Sequence, residues 1–105
     1  RFKNALSDYL VVWGNDKTDC EICTRISLTH NIIGINIFNT GNFNGAENEF
    51  TIAISYNNSI PQIFVNRGIA VFHQKKNEAA YYDFKLALHL EPQNRQALAF
   101  MSHFF

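Results

Sequence analysis

The chain repeats itself at a fixed interval, and this limits its fold more than any other feature. Gly34 and Gly68, Ile35 and Ile69, Phe38 and Phe72, Ala46 and Ala80, Phe50 and Phe84, and Ala53 and Ala87 are each 34 residues apart. Ile37 and Val71, Glu49 and Asp83, Ile52 and Leu86, and Ile54 and Leu88 are matched in chemistry at the same offset. Within each unit the apolar residues recur at i, i+4, i+7 and i+8, the spacing of an amphipathic helix and not of a strand. Repeats of this length stack into quasi-one-dimensional arrays in which each unit contacts its neighbours.

Each repeated residue type has a physical reason for its place. Glycine inside a helix costs about 1 kcal/mol against alanine, so its recurrence at Gly34 and Gly68 implies a close approach by another helix. Ala46 and Ala80 are small, and Phe50 and Phe84 follow one turn later on the same face. Ala53 and Ala87 are small again, where the next unit stacks. Asn39-Thr40-Gly41-Asn42 reads as a turn, and Gln74-Lys75-Lys76-Asn77 is its equivalent without glycine. Leu90-Glu91-Pro92 ends a helix, because proline cannot continue one. Asn58 stands where Pro92 sits in the second unit.

These features together resemble the tetratricopeptide repeat (TPR), whose period is 34 residues. The Ala-x3-Phe spacing and the run FKLALHLEPQN, from Phe84 to Asn94, carry the resemblance, which covers nearly the whole chain. It departs from the family in having His30 and Phe64 before the glycine, and Ile37 and Val71 after it. The resemblance implies an all-α fold, a right-handed superhelical solenoid of antiparallel helix pairs A and B. Residues 1–14 are expected to be the B helix of a preceding repeat, because Phe2, Ala5, Tyr9, Val12 and Trp13 keep the spacing of Phe43, Ala46, Phe50, Ala53 and Ile54. Residues 15–26 form a linker or an extended helix start, 27–60 and 61–94 two repeats, and 95–105 the A helix of a following repeat or a capping helix. Helices are expected at 24–39, 43–57, 60–74, 77–90 and 94–105. Ala5 and Ala46 are 41 residues apart, seven more than the period, so the first unit carries either a longer loop or a longer A helix. Asp16, Thr18 and Asp19 are available as N-caps for the latter. Beginning with Arg and ending inside an apolar pattern, the chain is expected to be a window from a longer array.

The resemblance also implies a concave groove lined by the A helices. By position the groove would display Leu28, Asn31, Ile32, Ile35, Phe38 and Asn39, then Gln62, Val65, Asn66, Ile69, Phe72 and His73, then Gln96, Ala99, Phe100 and His103. The candidate partner-binding residues are Asn31, Ile35, Phe38, Gln62, Asn66, Ile69, Phe72, His73 and Phe100. Some TPR domains clamp a terminal carboxylate with Lys, Asn and Arg, whereas Asn31, Ile35, Asn66, Gln96 and Phe100 stand at those positions here. A carboxylate wants charge-assisted donors, so no clamp is expected. Amides offer both donors and acceptors, suited to a peptide backbone, with apolar neighbours to receive side chains. The alternative for the same residues is packing between adjacent A helices.

The expected function is therefore a scaffold that binds a partner peptide or helix. The alternative is a structural rung of a large permanent assembly (cytoskeletal, ciliary or trafficking) with contacts on both faces. Nine basic residues balance nine acidic ones, which gives no electrostatic footprint for nucleic acid. No apolar run approaches a membrane span. Cys20-Glu21-Ile22-Cys23 lacks the further ligands a zinc site needs, and ordinary thiols in a reducing, cytoplasmic setting are expected. No cofactor and no catalytic constellation is expected. Asn57-Asn58-Ser59 matches a glycosylation sequon by chance, and Trp13 is expected to pack in the core.

Overall fold

The computed structural model describes residues 21–102. The readings made for Phe2 to Trp13, the candidate caps Asp16 to Asp19, Cys20 and His103 lie outside the described residues. Five helices follow one another: α1 (Glu21–Asn39), α2 (Phe43–Tyr56), α3 (Pro61–His73), α4 (Asn77–Leu90) and α5 (Arg95–Met101). No strand occurs among the described residues. The first A helix has 19 residues and its counterpart α3 has 13.

The helices stop where local chemistry requires. At the end of α1 the chain turns through Gly41 at φ 91°, and at the end of α3 through Lys75 at φ 68°. These two positions are one period apart, so the left-handed residue is glycine in one unit and lysine in the next. The second turn is a complete Schellman motif, with Lys76 N–H donating to Val71 O at 3.0 Å and Lys75 N–H donating to Phe72 O at 2.9 Å. Asn42 caps α2 by accepting from Gly45 N–H, and Asn94 caps α5 by accepting from Ala97 N–H, each at 2.9 Å. Pro61 occupies the first turn of α3, where its missing N–H costs nothing. Glu91, ahead of Pro92, is driven to extended backbone and ends α4.

Contacts between named residues fix the topology. Thr24, Ser27, His30 and Gly34 of α1 meet Asn57, Ala53, Glu49 and Phe50, so α1 and α2 are antiparallel. Arg67 of α3 and Gln74 at its C-terminal cap reach Thr51 and Glu47 of α2, again antiparallel. Asn31 and Phe38 of α1 meet Asn66 and His73, so α1 and α3 run parallel as neighbours. Gln62 extends the row to Gln96 of α5. The A helices α1, α3 and α5 thus form one layer, and the B helices α2 and α4 the other.

The core is one ring per repeat seated on one glycine. A Cβ on Gly34 would stand 2.6 Å from Phe50 Cε1, and a Cβ on Gly68 would stand 2.7 Å from Phe84 Cε1. The helix pairs approach this closely only because both residues lack a side chain. Ala46, Ala53, Ile63 and Ala70 complete the cluster around Phe50, and Ala80, Ala87, Val65, Val71 and Ala97 the cluster around Phe84. Val65 is therefore core, which corrects its placement in the groove. The resemblance places it by position in the groove, but its side chain is fully buried and packs in the cluster with Phe84.

One ion pair and one histidine–carboxylate contact brace the layers. Arg67 donates to both carboxylate oxygens of Asp83, at 2.8 and 3.0 Å, and His30 Nδ1 lies 2.8 Å from Glu49 Oε1. Glu49 and Asp83 are one period apart, but their partners are not. Ile33 stands where Arg67 would be, and His30 takes over from one turn earlier. Burial pushes the Asp83 carboxyl above its ordinary 3.8, partly opposed by the two hydrogen bonds and the charge of Arg67.

Candidate functional site

The parallel A helices bring a row of side-chain amides together across the layer. Asn66 Nδ2 donates to Asn31 Oδ1 at 2.9 Å, Gln62 Nε2 donates to Asn66 Oδ1 at 3.2 Å, and Gln62 Nε2 also donates to Gln96 Oε1 at 2.7 Å. The amides of three helices thus form one continuous ladder. Its direction follows from Gln62, which spends both N–H donors on neighbouring oxygens. Asn31 and Gln96 keep their NH2 groups for other partners, and Gln62 keeps its oxygen.

Beside the ladder lies a cavity of about 190 Å³ lined by Ile35, Phe38, Phe50, Asn66 and Ile69. It sits between α1 and α3, and Phe50 of α2 contributes to its lining. All its lining residues are uncharged, and Asn66 joins it to the ladder. One edge is aromatic: Phe38 packs on Phe43 at 5.0 Å between ring centroids and edge-on to His73 at 5.2 Å, while Phe43 stacks on His73 at 4.7 Å. Leu28, Ile32 and Ile35 continue the apolar surface along the exposed side of α1, with Ile32 58% exposed.

The residues proposed from sequence therefore divide into groups. Ile35, Phe38, Asn66 and Ile69 share the cavity, Asn31, Gln62 and Asn66 share the ladder, and His73 stands exposed at the aromatic edge. Phe72 and Phe100 are drawn inward: Phe72 meets Phe100 edge-on at 5.8 Å, and Phe100 stacks on Phe84 at 4.9 Å. Both are half-buried and pack against the core cluster around Phe84. Two participants went unnoticed in the sequence as site residues. Phe50 was read only as core, and Phe43 only as the start of a helix, yet both border the site. The signal available was the aromatic at the first position of α2, one turn past Phe38 and facing it.

Cys23 is fully buried and disulfide-bonded, which corrects the expectation of an ordinary thiol there. Asn57 of the sequon is committed to the fold: its amide donates to Thr24 Oγ1 at 2.9 Å and its oxygen accepts from Ser59 N–H at 2.8 Å. Among the described residues, no cluster of three or more His, Cys, Asp or Glu is placed to hold a metal, and no helix is long and apolar enough to cross a membrane.

No protein-family model and no curated protein matches the sequence. Solved structures do match it. One is the first TPR of Spaghetti (RPAP3) bound to the HSP90 peptide SRMEEVD, with 27% identity and a TM-score of 0.71. The match covers 73% of this chain and 61% of that one, less than two thirds of the neighbour's length. The 34-residue register, the glycine–phenylalanine seats and this neighbour agree, and TPR folds are protein-interaction modules. The described residues form an all-α domain of the TPR type.

Proposed function

We propose that the layer of A helices holds a segment of a partner protein, with amides that engage its backbone and an apolar cavity that takes a side chain. The observation that carries this reading is the continuity of the ladder with the cavity through Asn66. A surface built only for packing between helices would have no reason to keep a cavity open beside unspent amide donors. The neighbouring TPR structure, which holds a peptide, supports the same reading. Catalysis has no part in it.

The segment differs in chemistry from the acidic peptide of that neighbour. Neither the ladder nor the cavity carries a charged side chain. Arg67 and Lys76 are tied to Asp83 and Glu47. An uncharged amide row gains little from a carboxylate, because charge-assisted hydrogen bonds are the strong ones.

Selection of peptides from a random display library tests the reading, with an Ile35→Lys variant as the counter-target. Ile35 is 39% exposed, so the fold tolerates the change while a cation enters the cavity wall. Peptides that bind the parent and not the variant are the expected outcome. Recovery of peptides that bind both equally would move the contact surface off the A-helix layer, in favour of a rung with contacts on its outer face.

A further inference from the structure

The cavity also says what kind of side chain the segment brings. We infer that the site between Ile35, Phe38, Phe50, Asn66 and Ile69 is a specificity pocket for one phenylalanine-sized side chain, carried within an uncharged stretch of the partner and not at its carboxyl terminus. This deepens the reading of the A-helix layer as a peptide site, and rests on it.

Size comes first. An enclosed apolar cavity of about 150 Å³ takes up benzene, and this pocket, open to the surface, has about 190 Å³. A phenyl ring with its methylene fits, whereas a methyl group leaves most of the space empty. Chemistry agrees with size. Phe38 and Phe50 are aromatic, and Ile35 and Ile69 aliphatic, a lining that favours an aromatic guest. A carboxylate or an ammonium inside would meet no counter-charge.

The ladder decides how the guest is presented. Gln62 has spent both N–H donors, so the donors left on the row are those of Asn31 and Gln96 and the second N–H of Asn66. The row thus offers unspent N–H donors and, at Gln62, an unspent oxygen, and the matching groups on a peptide are its main-chain carbonyls and N–H groups. Those recur along an extended chain on either side of the guest residue, so the ladder accepts a through-running segment. It offers no cationic donor that would hold a terminus in place. Asn66 thus belongs both to the amide row and to the lining of the pocket.

The test uses defined probes on the intact chain with labelled isoleucine methyl groups. The first probe is an acetylated and amidated Gly-Ser-Gly-Phe-Gly-Ser peptide, the second the same peptide with Ala for Phe, the third the Phe peptide with a free carboxyl terminus, and the fourth SRMEEVD. The Phe probe is expected to give saturable shifts at Ile35 and Ile69. The Ala probe should bind about tenfold or more weakly. The free carboxyl terminus should leave affinity unchanged, and SRMEEVD should bind no better than the Ala probe. Ile69→Phe, which fills the cavity from its wall, should abolish the shifts at Ile35, and Ile35→Phe serves as a second filler if the first disturbs the fold. Equal response to the Phe and Ala probes, tightening by the free carboxylate, or undiminished binding by a folded filler variant would overturn the pocket. Library-selected peptides that depend on Ile35 but lack any large apolar residue would leave the A-helix site standing and remove only this inference.

Discussion

Gly68→Ala isolates the contact on which each repeat is built. In an exposed helix this substitution stabilises by about 1 kcal/mol, because alanine loses less backbone freedom on folding. Here the added Cβ stands 2.7 Å from Phe84 Cε1, 3.0 Å from Cζ and 3.1 Å from Cδ1. Carbon atoms settle at about 3.5–4.0 Å, so a separation of close to 1 Å must be recovered. Phe84 has no room to yield: it is fully buried and stacked on Phe100 at 4.9 Å. Overpacking of this kind costs about 1–3 kcal/mol. Set against the propensity gain, the net change runs from about zero to a loss of about 2 kcal/mol, or up to roughly 15 °C in Tm for a domain of this size. Urea unfolding followed by far-ultraviolet circular dichroism measures it. Gly45→Ala is the control, since its Cβ would come equally close, at 2.7 Å, to Asn42 Nδ2. That neighbour is an exposed side chain that can swing away by giving up its cap on Gly45 N–H, so a cap loss of about 1 kcal/mol is offset by a propensity gain of about the same size and the net change should lie near neutral. Combining Gly68→Ala with Phe84→Leu should recover part of the loss, with a coupling of at least about 0.5 kcal/mol. A gain of about 1 kcal/mol in Gly68→Ala, as in an exposed helix, or strict additivity in the pair, would refute the claim that glycine is there to seat the ring.

The remaining expectations follow from single features. Lys75→Gly should raise stability by roughly 0.5–1 kcal/mol in the same unfolding assay by relieving a left-handed lysine, whereas Gly41→Ala should lower it by roughly 1 kcal/mol, with no steric contact involved. Phe50→Ala and Phe84→Ala should each cost roughly 3–5 kcal/mol by leaving a core cavity, and retained melting temperatures in both would contradict the register. The Asp83 carboxyl is raised by burial, so the native state binds its proton more tightly than the unfolded chain does. Its contribution to stability is therefore full below the ordinary 3.8 and declines as pH rises through the raised value. Asp83→Asn should remove that decline, and parallel stability–pH curves for parent and variant just above 3.8 would contradict the assignment.

The sequence determined the helical units, the residues that seat them and most of the stops. Side-chain volume at a fixed spacing does this without reference to neighbours: a glycine opposite a phenylalanine one period after another such pair can be satisfied only by two helices packed closely and repeatedly. Proline and left-handed glycine end helices through backbone geometry alone, as Pro92 and Gly41 do. The candidate site was legible by face but not by partnership. Asn31 and Asn66 are 35 residues apart and not 34, so a search at the repeat offset does not pair them. Their bond depends on how one A helix is rotated against the next. Packing also puts Val65 in the core around Phe84 and leaves a pocket beside Asn66 between α1 and α3. A sequence states which side chains share a helix face. Which of them touch across the gap depends on the distance and angle between helices, and only the packed structure settles those.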